Sequence, residues 1–303
     1  RFVLMKVLLT GAKGQLGQAL LASKSKEFEV IATSRSGGEG IQALDLADHP
    51  ACREAVLFHR PDWVLNAGAY TAVDRAESES ELAHAVNAGA PRAFAEALLE
   101  TGGSLLQLST DFVFSGQQGF PYRVDQERDP LGVYGSSKAE GEQAVEQVLG
   151  AEGRGSVLRT SWVYGPVGRN FMLTMLRLHR ERDQLNVVAD QVGCPTSTST
   201  LAAVCWAVID KPRQDSLPST LHWSDAGAAS WYDFAVAIGE LAVQQNLLER
   251  PAKVNPIPAA QYPTPAQRPS YSLLDCTETR EVLGLGACHW RSALDRVMAD
   301  VDS

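Results

Sequence analysis

Residues 7–17 read Val7-Leu8-Leu9-Thr10-Gly11-Ala12-Lys13-Gly14-Gln15-Leu16-Gly17, an apolar run that leads directly into three regularly spaced glycines. The apolar residues predict a buried strand, and the glycine spacing predicts a tight turn that opens a helix. Gly11 and Gly14 allow the backbone to approach a ligand closely, and Gly17 allows the helix to pack on the strand. Because a helix N-terminus presents free N–H groups, here at Gln15 and Leu16, the segment predicts binding of a dinucleotide pyrophosphate.

The first half of the chain repeats the alternation of strand and helix that this segment begins. Apolar strand patterns lie at 7–10, 28–32, 63–65, 105–108 and 156–159, and helical patterns lie between them at 16–23, 51–58, 90–100 and 136–149. Strands that alternate with helices predict an α/β fold with a doubly wound, Rossmann-like parallel sheet. Ligands of such sheets bind beyond the carboxyl ends of the strands.

The alternation loosens after about residue 165, which predicts a smaller lobe over the mouth of the sheet. Helical patterns lie at 170–182, 198–209, 231–241 and 293–301, and the proline-rich stretch 251–269 is expected to be mostly extended loop. We therefore predict a dinucleotide-binding domain at 1–165, joined by a returning segment near 190–225. The remainder, 166–303, is predicted to be mainly a substrate-binding lobe.

The composition argues against several other classes of protein. The 303 residues carry a formal net charge of -9, without the basic surplus that a nucleic-acid-binding protein usually shows. No apolar run approaches the ~20 residues needed to span a bilayer, and the run 2–9 contains Lys6 and reads as a strand rather than a signal peptide. Five cysteines without metal-ligand spacing fit buried thiols in a reducing compartment, so we expect a cytoplasmic protein without a metal centre.

The end of the second predicted strand indicates which nicotinamide cofactor binds. An enzyme selective for NAD usually carries an acid there, and this chain reads Thr33-Ser34-Arg35-Ser36. Ser34 and Arg35 can hold a 2′-phosphate through charge-assisted hydrogen bonds, so NADPH is favoured and NADH stays open. Asp45 and Leu46 follow the approach to the next strand and are predicted to touch the adenine.

Tyr134 and Lys138 lie four residues apart at the start of a predicted helix, so their side chains point from one face. Reduction of a ketone needs a hydride on carbon and a proton on oxygen, and a tyrosine can supply the proton if its pKa falls from about 10. An ammonium ~4 Å away stabilises a phenolate by about 4 kcal/mol at an effective dielectric constant of about 20. We therefore predict that Tyr134 is the proton donor, and that Lys138 lowers its pKa and contacts the nicotinamide ribose.

The fourth predicted strand ends in Leu108-Ser109-Thr110-Asp111, which offers a hydroxyl to the carbonyl oxygen of a substrate. Thr110 is the candidate donor. Ser109 is the rival, because adjacent side chains on a strand point to opposite faces. Asp111 and Phe112 follow Thr110 and are predicted to contact the substrate.

The chain resembles the dTDP-4-dehydrorhamnose reductase family of the extended short-chain dehydrogenase/reductases over nearly its whole length. The segments that carry the resemblance lie at 11–17, 66–74, 109–114, 134–138, 159–164, 190–196, 230–234 and 263–269. The most specific are Asn66-Ala67-Gly68-Ala69-Tyr70-Thr71-Ala72-Val73-Asp74 and Pro263-Thr264-Pro265-Ala266-Gln267-Arg268-Pro269. The resemblance implies NAD(P)H-dependent reduction of the C4 keto group of dTDP-4-dehydro-L-rhamnose to dTDP-L-rhamnose.

The resemblance also implies roles for individual residues. Thr110, Tyr134 and Lys138 match the family's catalytic triad, and Trp162 matches a residue that lies against the sugar. Arg268 lies in a motif near the nucleotide part of the substrate, where a guanidinium suits a diphosphate. The residues that match the loop beside the cofactor are Asn66, Ala67, Gly68 and Tyr70, and Asn87 is expected to support the Tyr–Lys proton path.

Two features of the family pattern are changed or not recognisable in this chain. The family commonly carries Asn three residues after the arginine of that motif, where this chain has Tyr271, a change that would alter substrate contacts. Some members form a homodimer around Mg²⁺ held by acidic residues. No pattern in this chain assigns such ligands, so both a Mg²⁺ ion and a homodimer are left open.

Other functions remain as alternatives. A 4,6-dehydratase of the same superfamily carries a second acid where this chain has Phe112, which cannot transfer a proton, so elimination is disfavoured. An epimerase or another nucleotide-sugar reductase shares the Tyr–Lys chemistry. A non-catalytic regulatory subunit resembling that of S-adenosylmethionine synthetase would also keep residues of the cofactor site.

Overall fold

A parallel sheet of seven strands forms the centre of the molecule in the computed structural model, which describes residues 4–211 and 217–301. The strands, in chain order, are β1 Met5–Thr10, β2 Phe28–Ser34, β3 Gln42–Ala43, β4 Trp63–Asn66, β5 Ser104–Thr110, β6 Gly155–Thr160, β7 Val163–Tyr164, β8 Gln184–Val188, β9 Val192–Gly193, β10 Thr196–Ser197, β11 Thr220–Trp223, β12 Ala229–Ser230 and β13 Lys253–Ile257. The central order is β3-β2-β1-β4-β5-β6-β11, and every neighbouring pair is parallel. The predicted doubly wound α/β fold is confirmed.

Helices cover both faces of this sheet and build the smaller lobe. They are α1 Gln15–Ser23, α2 His49–His59, α3 Val73–Ala76, α4 Ser80–His84, α5 Ala90–Thr101, α6 Val133–Leu149, α7 Phe171–Glu181, α8 Thr198–Asp210, α9 Trp231–Gln244, α10 Thr277–Leu283 and α11 Trp290–Ala299. A π-helical turn at Ala85–Gly89 joins α4 to α5, and 3₁₀ turns lie at Asp111–Val113 and Ala259–Gln261. None of the helices within residues 4–211 and 217–301 combines the length and the apolar character needed to cross a membrane.

Alternation along the central strands decides which helices each residue meets. Val7 and Leu9 belong to the buried cluster that α1 and α8 complete, whereas Leu8 between them belongs to the cluster of α2, α5 and α6. Successive side chains on a strand point to opposite faces, so a continuous apolar run can be buried on both sides. The uninterrupted apolar run at 7–9 therefore agrees with the central position of β1 in the sheet.

The last strand of the sheet comes from the second half of the chain. Helix α8 packs against α1, and β11 then pairs with β6 in the register Thr220↔Val157. The sequence patterns missed β11 and β3, because strands of four and two residues are too short to show a period. The division into domains at 1–165 and 166–303 stays a prediction; residues 1–3, 212–216 and 302–303 of those ranges lie outside the described residues.

The smaller lobe contains its own apolar cluster, which α7, α9 and α11 form with β8. The strand β13 pairs with β8 in parallel, so Lys253–Ile257 form a strand within the stretch 251–269, which the sequence predicted to be mostly extended loop. Pro256 lies inside that strand. A proline is tolerated there because β13 has a partner on one side only, and the missing N–H can face away from β8.

Candidate active site

The carboxyl ends of β1 and β4 meet at one polar network. The Thr10 hydroxyl donates to Asn66 Oδ1 at 2.6 Å and accepts from the backbone N–H of Gly68 at 3.0 Å. The Asn66 amide in turn donates to Gln107 Oε1 on β5 at 2.7 Å. Three neighbouring strands are thus held in register at the edge where ligands of parallel sheets bind.

The glycine loop lies directly against this network. Gly11 has a φ of 67°, and a Cβ atom there would come within 2.7 Å of the Gly68 backbone. A Cβ at Gly17 would overlap the carbonyl oxygen of Gly11, so the helix packs on the loop only with glycine. Helix α1 has no side-chain cap and no acid in its first turn. Its first N–H groups are therefore available to an anion, and binding of a pyrophosphate there stays a prediction.

The turn after β2 combines a buried hydroxyl with exposed cations. Ser34 is 7% exposed, and within the described residues its Oγ has no hydrogen-bond partner. Arg35 is exposed beside it. The Lys13 ammonium donates to the carbonyl oxygen of Gly37 and lies 3.4 Å from Ser36 Oγ. Lys13 thus joins the predicted 2′-phosphate residues, and the sequence interpretation missed it although it lies inside the glycine loop.

Asp45 and Leu46 lie on the loop after β3. A Cβ at Gly68 would come within 2.7 Å of Leu46 Cδ1, so Leu46 forms an apolar wall beside the glycine loop. Asp45 is exposed, and its carboxylate accepts from the backbone N–H of Ala47 at 3.0 Å. Of the pair, Leu46 is the one that borders the dinucleotide cradle directly.

Gln15, at the start of α1, links the two halves of the molecule. Its Oε1 accepts from Asn170 Nδ2 at 2.7 Å, and its Nε2 donates to the carbonyl oxygen of Arg169 at 3.3 Å. Asn170 also caps α7 by accepting from the backbone N–H of Leu173. The smaller lobe is therefore fixed to the N-terminal end of the predicted pyrophosphate helix.

Asn87 ties the loop after β4 to the helix that carries Tyr134. Its side chain accepts from the Tyr70 backbone N–H at 2.9 Å and donates to the Tyr70 carbonyl oxygen and to Ser137 Oγ, both at 3.0 Å. Ser137 Oγ donates to the carbonyl oxygen of Tyr134 at 2.8 Å. The Tyr70 hydroxyl points elsewhere, donating to Glu79 at 2.5 Å. Asn87 thus connects the loop after β4, at Tyr70, with the first turns of α6, at Ser137.

Tyr134 lies between Thr110 and Phe112. The Phe112 ring packs edge-on against the Tyr134 ring, with centroids 5.5 Å apart and planes at 72°. Burial raises the pKa of Tyr134 to about 12, and a side-chain hydrogen bond with Thr110 acts in the opposite direction. The Thr110 hydroxyl also lies 3.1 Å from Asp111 Oδ1, and it accepts from the Phe112 N–H.

The hydroxyls of the two candidate donors, Thr110 and Ser109, have different surroundings. Ser109 Oγ donates to Glu142 Oε1 at 2.5 Å, on the side of the sheet that α6 covers. Thr110 instead contacts Tyr134. Asp111 is 2% exposed, and burial raises its pKa to about 6 although hydrogen bonds with Ser272 and Thr110 oppose the rise.

Lys138 is buried, and its ammonium donates to the carbonyl oxygen of Leu108 at 2.6 Å. Burial lowers the pKa of Lys138 to about 8, while the charge of Glu142 acts to raise it. The spacing of Tyr134 and Lys138 predicts that the ammonium lowers the pKa of Tyr134, but in this arrangement Lys138 does not do so. A buried ammonium needs an acceptor, and here the nearest one is a strand carbonyl rather than the phenol oxygen.

Trp162 follows β6 and has an unusual backbone. Its φ is 48°, a left-handed conformation that non-glycine residues rarely adopt. Its ring stacks on Trp231 with centroids 3.6 Å apart and planes at 10°. A Cβ at Gly193 would come within 2.6 Å of the Trp162 ring, so the ring contacts both Trp231 and the backbone of β9. This strain at a partly exposed aromatic ring is typical of a ligand-binding position.

Arg268 makes an ion pair that the sequence analysis did not expect. Its Nη1 and Nη2 donate to the two carboxylate oxygens of Asp74 at 2.8 and 3.0 Å. Nη1 also donates to Thr264 Oγ1 and to the carbonyl oxygen of Ala266, both at 2.8 Å. The hydrogen bond from Arg268 holds the pKa of Asp74 below its ordinary value. The two most specific motifs of the sequence are therefore joined, 194 residues apart.

The structure brings Thr110, Phe112 and Tyr134 into contact, with Lys138 one helical turn further along α6. Trp162 and Arg268 make no hydrogen bond or ring stack with these four residues in the described part of the chain. Across residues 4–211 and 217–301, no group of three or more His, Cys, Asp or Glu side chains could hold a metal ion.

Comparison with known proteins gives consistent matches. The family model described as RmlD substrate binding domain matches residues 5–303. A dTDP-4-dehydrorhamnose reductase of Aggregatibacter actinomycetemcomitans is 38% identical over 97% of this chain and 98% of its own. A probable dTDP-4,6-dihydroxy-2-methyloxan-3-one 4-ketoreductase of Streptomyces antibioticus is 39% identical over 98% and 96%. The crystal structure of Bacillus anthracis dTDP-4-dehydrorhamnose reductase in complex with NADP is 32% identical, with a TM-score of 0.87 over 99% and 100% of the two chains.

Proposed function

The chain belongs to the RmlD substrate binding domain family of dTDP-4-dehydrorhamnose reductases, and from that premise we propose that it reduces the C4 keto group of dTDP-4-dehydro-L-rhamnose to give dTDP-L-rhamnose, with NADPH as cofactor. The observation that carries the proposal is the packing of Tyr134 against Phe112, two residues after Thr110, at the sheet edge where the uncapped helix α1 begins. A hydroxyl pair beside a dinucleotide cradle has the composition needed to bind and protonate a ketone oxygen.

The dinucleotide cradle would be built by backbone groups and small residues. Gly11, Gly14 and Gly68 leave room that a Cβ atom would fill, and the first N–H groups of α1, at Gln15 and Leu16, would face the pyrophosphate. NADPH supplies the hydride when bound. The groups that we assign to the wider cradle are Gly17, Leu46, Asp45, Asn66, Ala67 and Tyr70.

The 2′-phosphate of the cofactor would lie at the turn after β2. Ser34 there has a buried hydroxyl without a partner, which a phosphate oxygen would satisfy. Arg35 and Lys13 would supply positive charge from two sides. The NADP bound to the Bacillus anthracis relative supports the same cofactor for this chain.

Tyr134 would donate the proton to the substrate oxygen. Its raised pKa keeps the hydroxyl protonated at neutral pH, so the proton is present before the reaction begins. The Thr110 hydroxyl would hold the same oxygen in place. Lys138, with a pKa of about 8, carries a positive charge at neutral pH. In the structure its ammonium bonds the carbonyl oxygen of Leu108, so it would stabilise the phenolate left on Tyr134 only by directing another of its three N–H donors there.

The rest of the substrate would lie toward the smaller lobe. We assign Trp162 to the sugar, because a partly exposed ring with a fixed orientation offers a flat apolar surface. Asp111 and Phe112 would border the reacting end. Arg268 remains the candidate for the diphosphate, although in the structure its guanidinium is held by Asp74. Binding of a diphosphate there would require Arg268 to share its donors between the phosphate and Asp74.

A second candidate function is 4-ketoreduction of a different dTDP sugar. The Streptomyces antibioticus relative carries such a name at an identity equal to that of the reductases. Tyr271 stands close to the Arg268 motif, where the family commonly has asparagine, and is the residue that favours a shifted sugar preference. An epimerase and a regulatory subunit stay weaker alternatives.

The remaining assignments rest on the family resemblance. We propose that residues 1–165 with a segment near 190–225 bind the dinucleotide, that 166–303 mainly bind the substrate, and that the protein works in the cytoplasm. A homodimer and a Mg²⁺ ion stay open, as in the sequence analysis.

A coupled assay tests the proposed function. dTDP-glucose is supplied with a dehydratase and an epimerase that generate the 4-keto sugar, and oxidation of NADPH and of NADH is followed separately. We expect NADPH oxidation that requires all three enzymes, with dTDP-L-rhamnose as the product. Bound NADPH without turnover of this sugar, but with turnover of another dTDP 4-keto sugar, would select the second candidate. Binding without any turnover would select the regulatory-subunit alternative.

A further inference from the structure

A buried cluster of charges lies directly behind the site, on the side of the sheet that α6 covers. Glu142 is 0% exposed, and Arg159 of β6 is 2% exposed. Arg159 Nε and Nη2 donate to the two carboxylate oxygens of Glu142 at 2.9 and 2.7 Å. Burial alone would raise the pKa of Glu142, but the hydrogen bonds and charge of Arg159 hold it below its ordinary value. Glu142 is therefore a permanent buried anion.

Further groups complete the surroundings of this carboxylate. Arg128, in the segment before α6, donates to Glu142 Oε2 at 3.1 Å and pairs with Glu146 through both of its terminal nitrogens. His222 of β11 lies 3.2 Å from Arg159 Nη1, and burial beside Arg159 lowers its pKa to about 3, so it stays neutral. Two arginines thus face one fully buried carboxylate, and Lys138 adds a third cation one helical turn away.

Glu142 and Lys138 hold two successive residues of β5. Lys138 donates to the carbonyl oxygen of Leu108, and Glu142 accepts from the hydroxyl of Ser109. Thr110, the next residue, carries the hydroxyl that contacts Tyr134. These two bonds come from successive turns of α6, the helix whose first turn carries Tyr134. They therefore fix the position of the end of β5 relative to Tyr134. A displacement of about 1 Å at such a contact is enough to cost a large factor in rate.

From this geometry we infer that Glu142 is a positioning residue for the reduction: its buried carboxylate holds the end of β5 against α6 and places a negative charge one helical turn from the Lys138 ammonium. The inference rests on the proposed function for its effect on turnover. Its electrostatic part concerns Lys138 alone and can be measured without substrate.

The electrostatic part follows from the groups that face Lys138. Its ammonium donates to the carbonyl oxygen of Leu108 on β5, and on its own helix Tyr134, which is neutral at pH 7, lies one turn before it and Glu142 one turn after it. Glu142 is the charge that favours the protonated amine against burial. Replacement of Glu142 by glutamine removes this anion and keeps the size of the side chain, so the Lys138 pKa should fall further below 8.

The experiment measures the protonation of Lys138 directly. The chain has seven lysines, so the signals of lysine labelled with ¹³C at the ε carbon can be assigned with a Lys138→Met variant and titrated one by one. We expect Glu142→Gln to lower the pKa of Lys138 by about one unit, from about 8, and to move the alkaline limb of kcat/KM by the same amount. Glu140→Gln removes an exposed carboxylate from the same helix and should leave the Lys138 titration unchanged.

A double variant separates positioning from simple stability. Glu142→Gln leaves Arg159 buried without its partner and should lower the melting temperature, whereas Glu142→Gln with Arg159→Met removes both charges and should restore most of it. We expect the double variant to keep the lowered Lys138 pKa. We also expect its kcat to stay below that of the wild type, because Ser109 has lost the carboxylate that it bonds. Recovery of the Lys138 pKa and of kcat together with the melting temperature would overturn the inference, as would an unchanged Lys138 titration in folded Glu142→Gln. If the wild type reduces no dTDP sugar, the proposed function fails, while the titration still decides the electrostatic part.

Discussion

The two ends of the site use charge in different ways. At the proposed catalytic end, Lys138 is buried and Tyr134 is partly buried, and burial moves the pKa of Tyr134 to about 12 and that of Lys138 to about 8. At the proposed substrate end, the side chains of Arg268 and Asp74 are 25% and 38% exposed and form a bidentate ion pair. Burial shifts the pKa values and so controls whether Tyr134 and Lys138 are protonated. An exposed ion pair contributes little stability, so Arg268 can exchange Asp74 for another anion at a small cost in free energy. One end suits proton transfer, and the other suits recognition of an anion.

The largest effect should come from the catalytic end. Tyr134→Phe should lower kcat by about 100- to 10,000-fold, because it removes the proton donor and leaves the packing against Phe112 in place. NADPH binding, measured by cofactor fluorescence, should stay within about threefold of wild type, since the change touches only a hydroxyl. Tyr262→Phe is the matched control, because Tyr262 is exposed on a loop. Near-normal turnover in Tyr134→Phe would remove the proton-donor assignment.

The pH dependence of turnover tests whether the reaction needs the charged form of Lys138. The pKa of Lys138 is lowered to about 8, so the ammonium is present below that pH and is lost as the pH rises through it. Turnover that needs the ammonium should fall about tenfold for each pH unit above this value. A profile of kcat/KM between pH 6 and 10, with substrate stability checked separately, measures it. A flat profile up to pH 10 would mean that the charge on Lys138 is not required.

A smaller effect is expected at the substrate end, and in a different parameter. Arg268→Ala should raise KM for the nucleotide sugar about tenfold and change kcat by less than about threefold, because it removes an interaction made equally before and during the reaction. Asp74→Asn separates the two roles of the pair: it frees Arg268 from its carboxylate but leaves the guanidinium. If both variants lose kcat and keep KM, the pair acts on the chemistry and the contrast between the two ends is wrong.

The smallest effect should appear at the rim of the cofactor cradle. Lys13→Ala should weaken NADPH binding about fivefold and leave NADH binding unchanged, because only NADPH carries the phosphate that the ammonium would face. Arg35→Ala should behave in the same way. Dissociation constants for both cofactors, with exposed Lys26→Ala as control, measure the difference. Equal losses for NADPH and NADH would place the 2′-phosphate elsewhere.

Local spacing explains why much of the fold and part of the site could be predicted. The glycine spacing at 11–17 and the apolar runs at 28–32, 63–65, 105–108 and 156–159 each describe contacts between residues close in the chain. Their geometry depends on backbone periods of two and about 3.6 residues, which the sequence shows directly. Tyr134 and Lys138 were found for the same reason, because one helical turn separates them.

Local patterns in the chain were thus enough to predict the doubly wound fold, the glycine loop and the candidates Thr110, Tyr134 and Lys138. Packing between distant segments was needed to show that Ser109 bonds Glu142, that Lys138 bonds Leu108 and that Arg268 pairs with Asp74. It also placed Pro256 inside a strand. These outcomes depend on which acceptor or partner lies nearest when distant segments pack together. A buried charge must find a partner, and that choice is made between elements far apart in the chain.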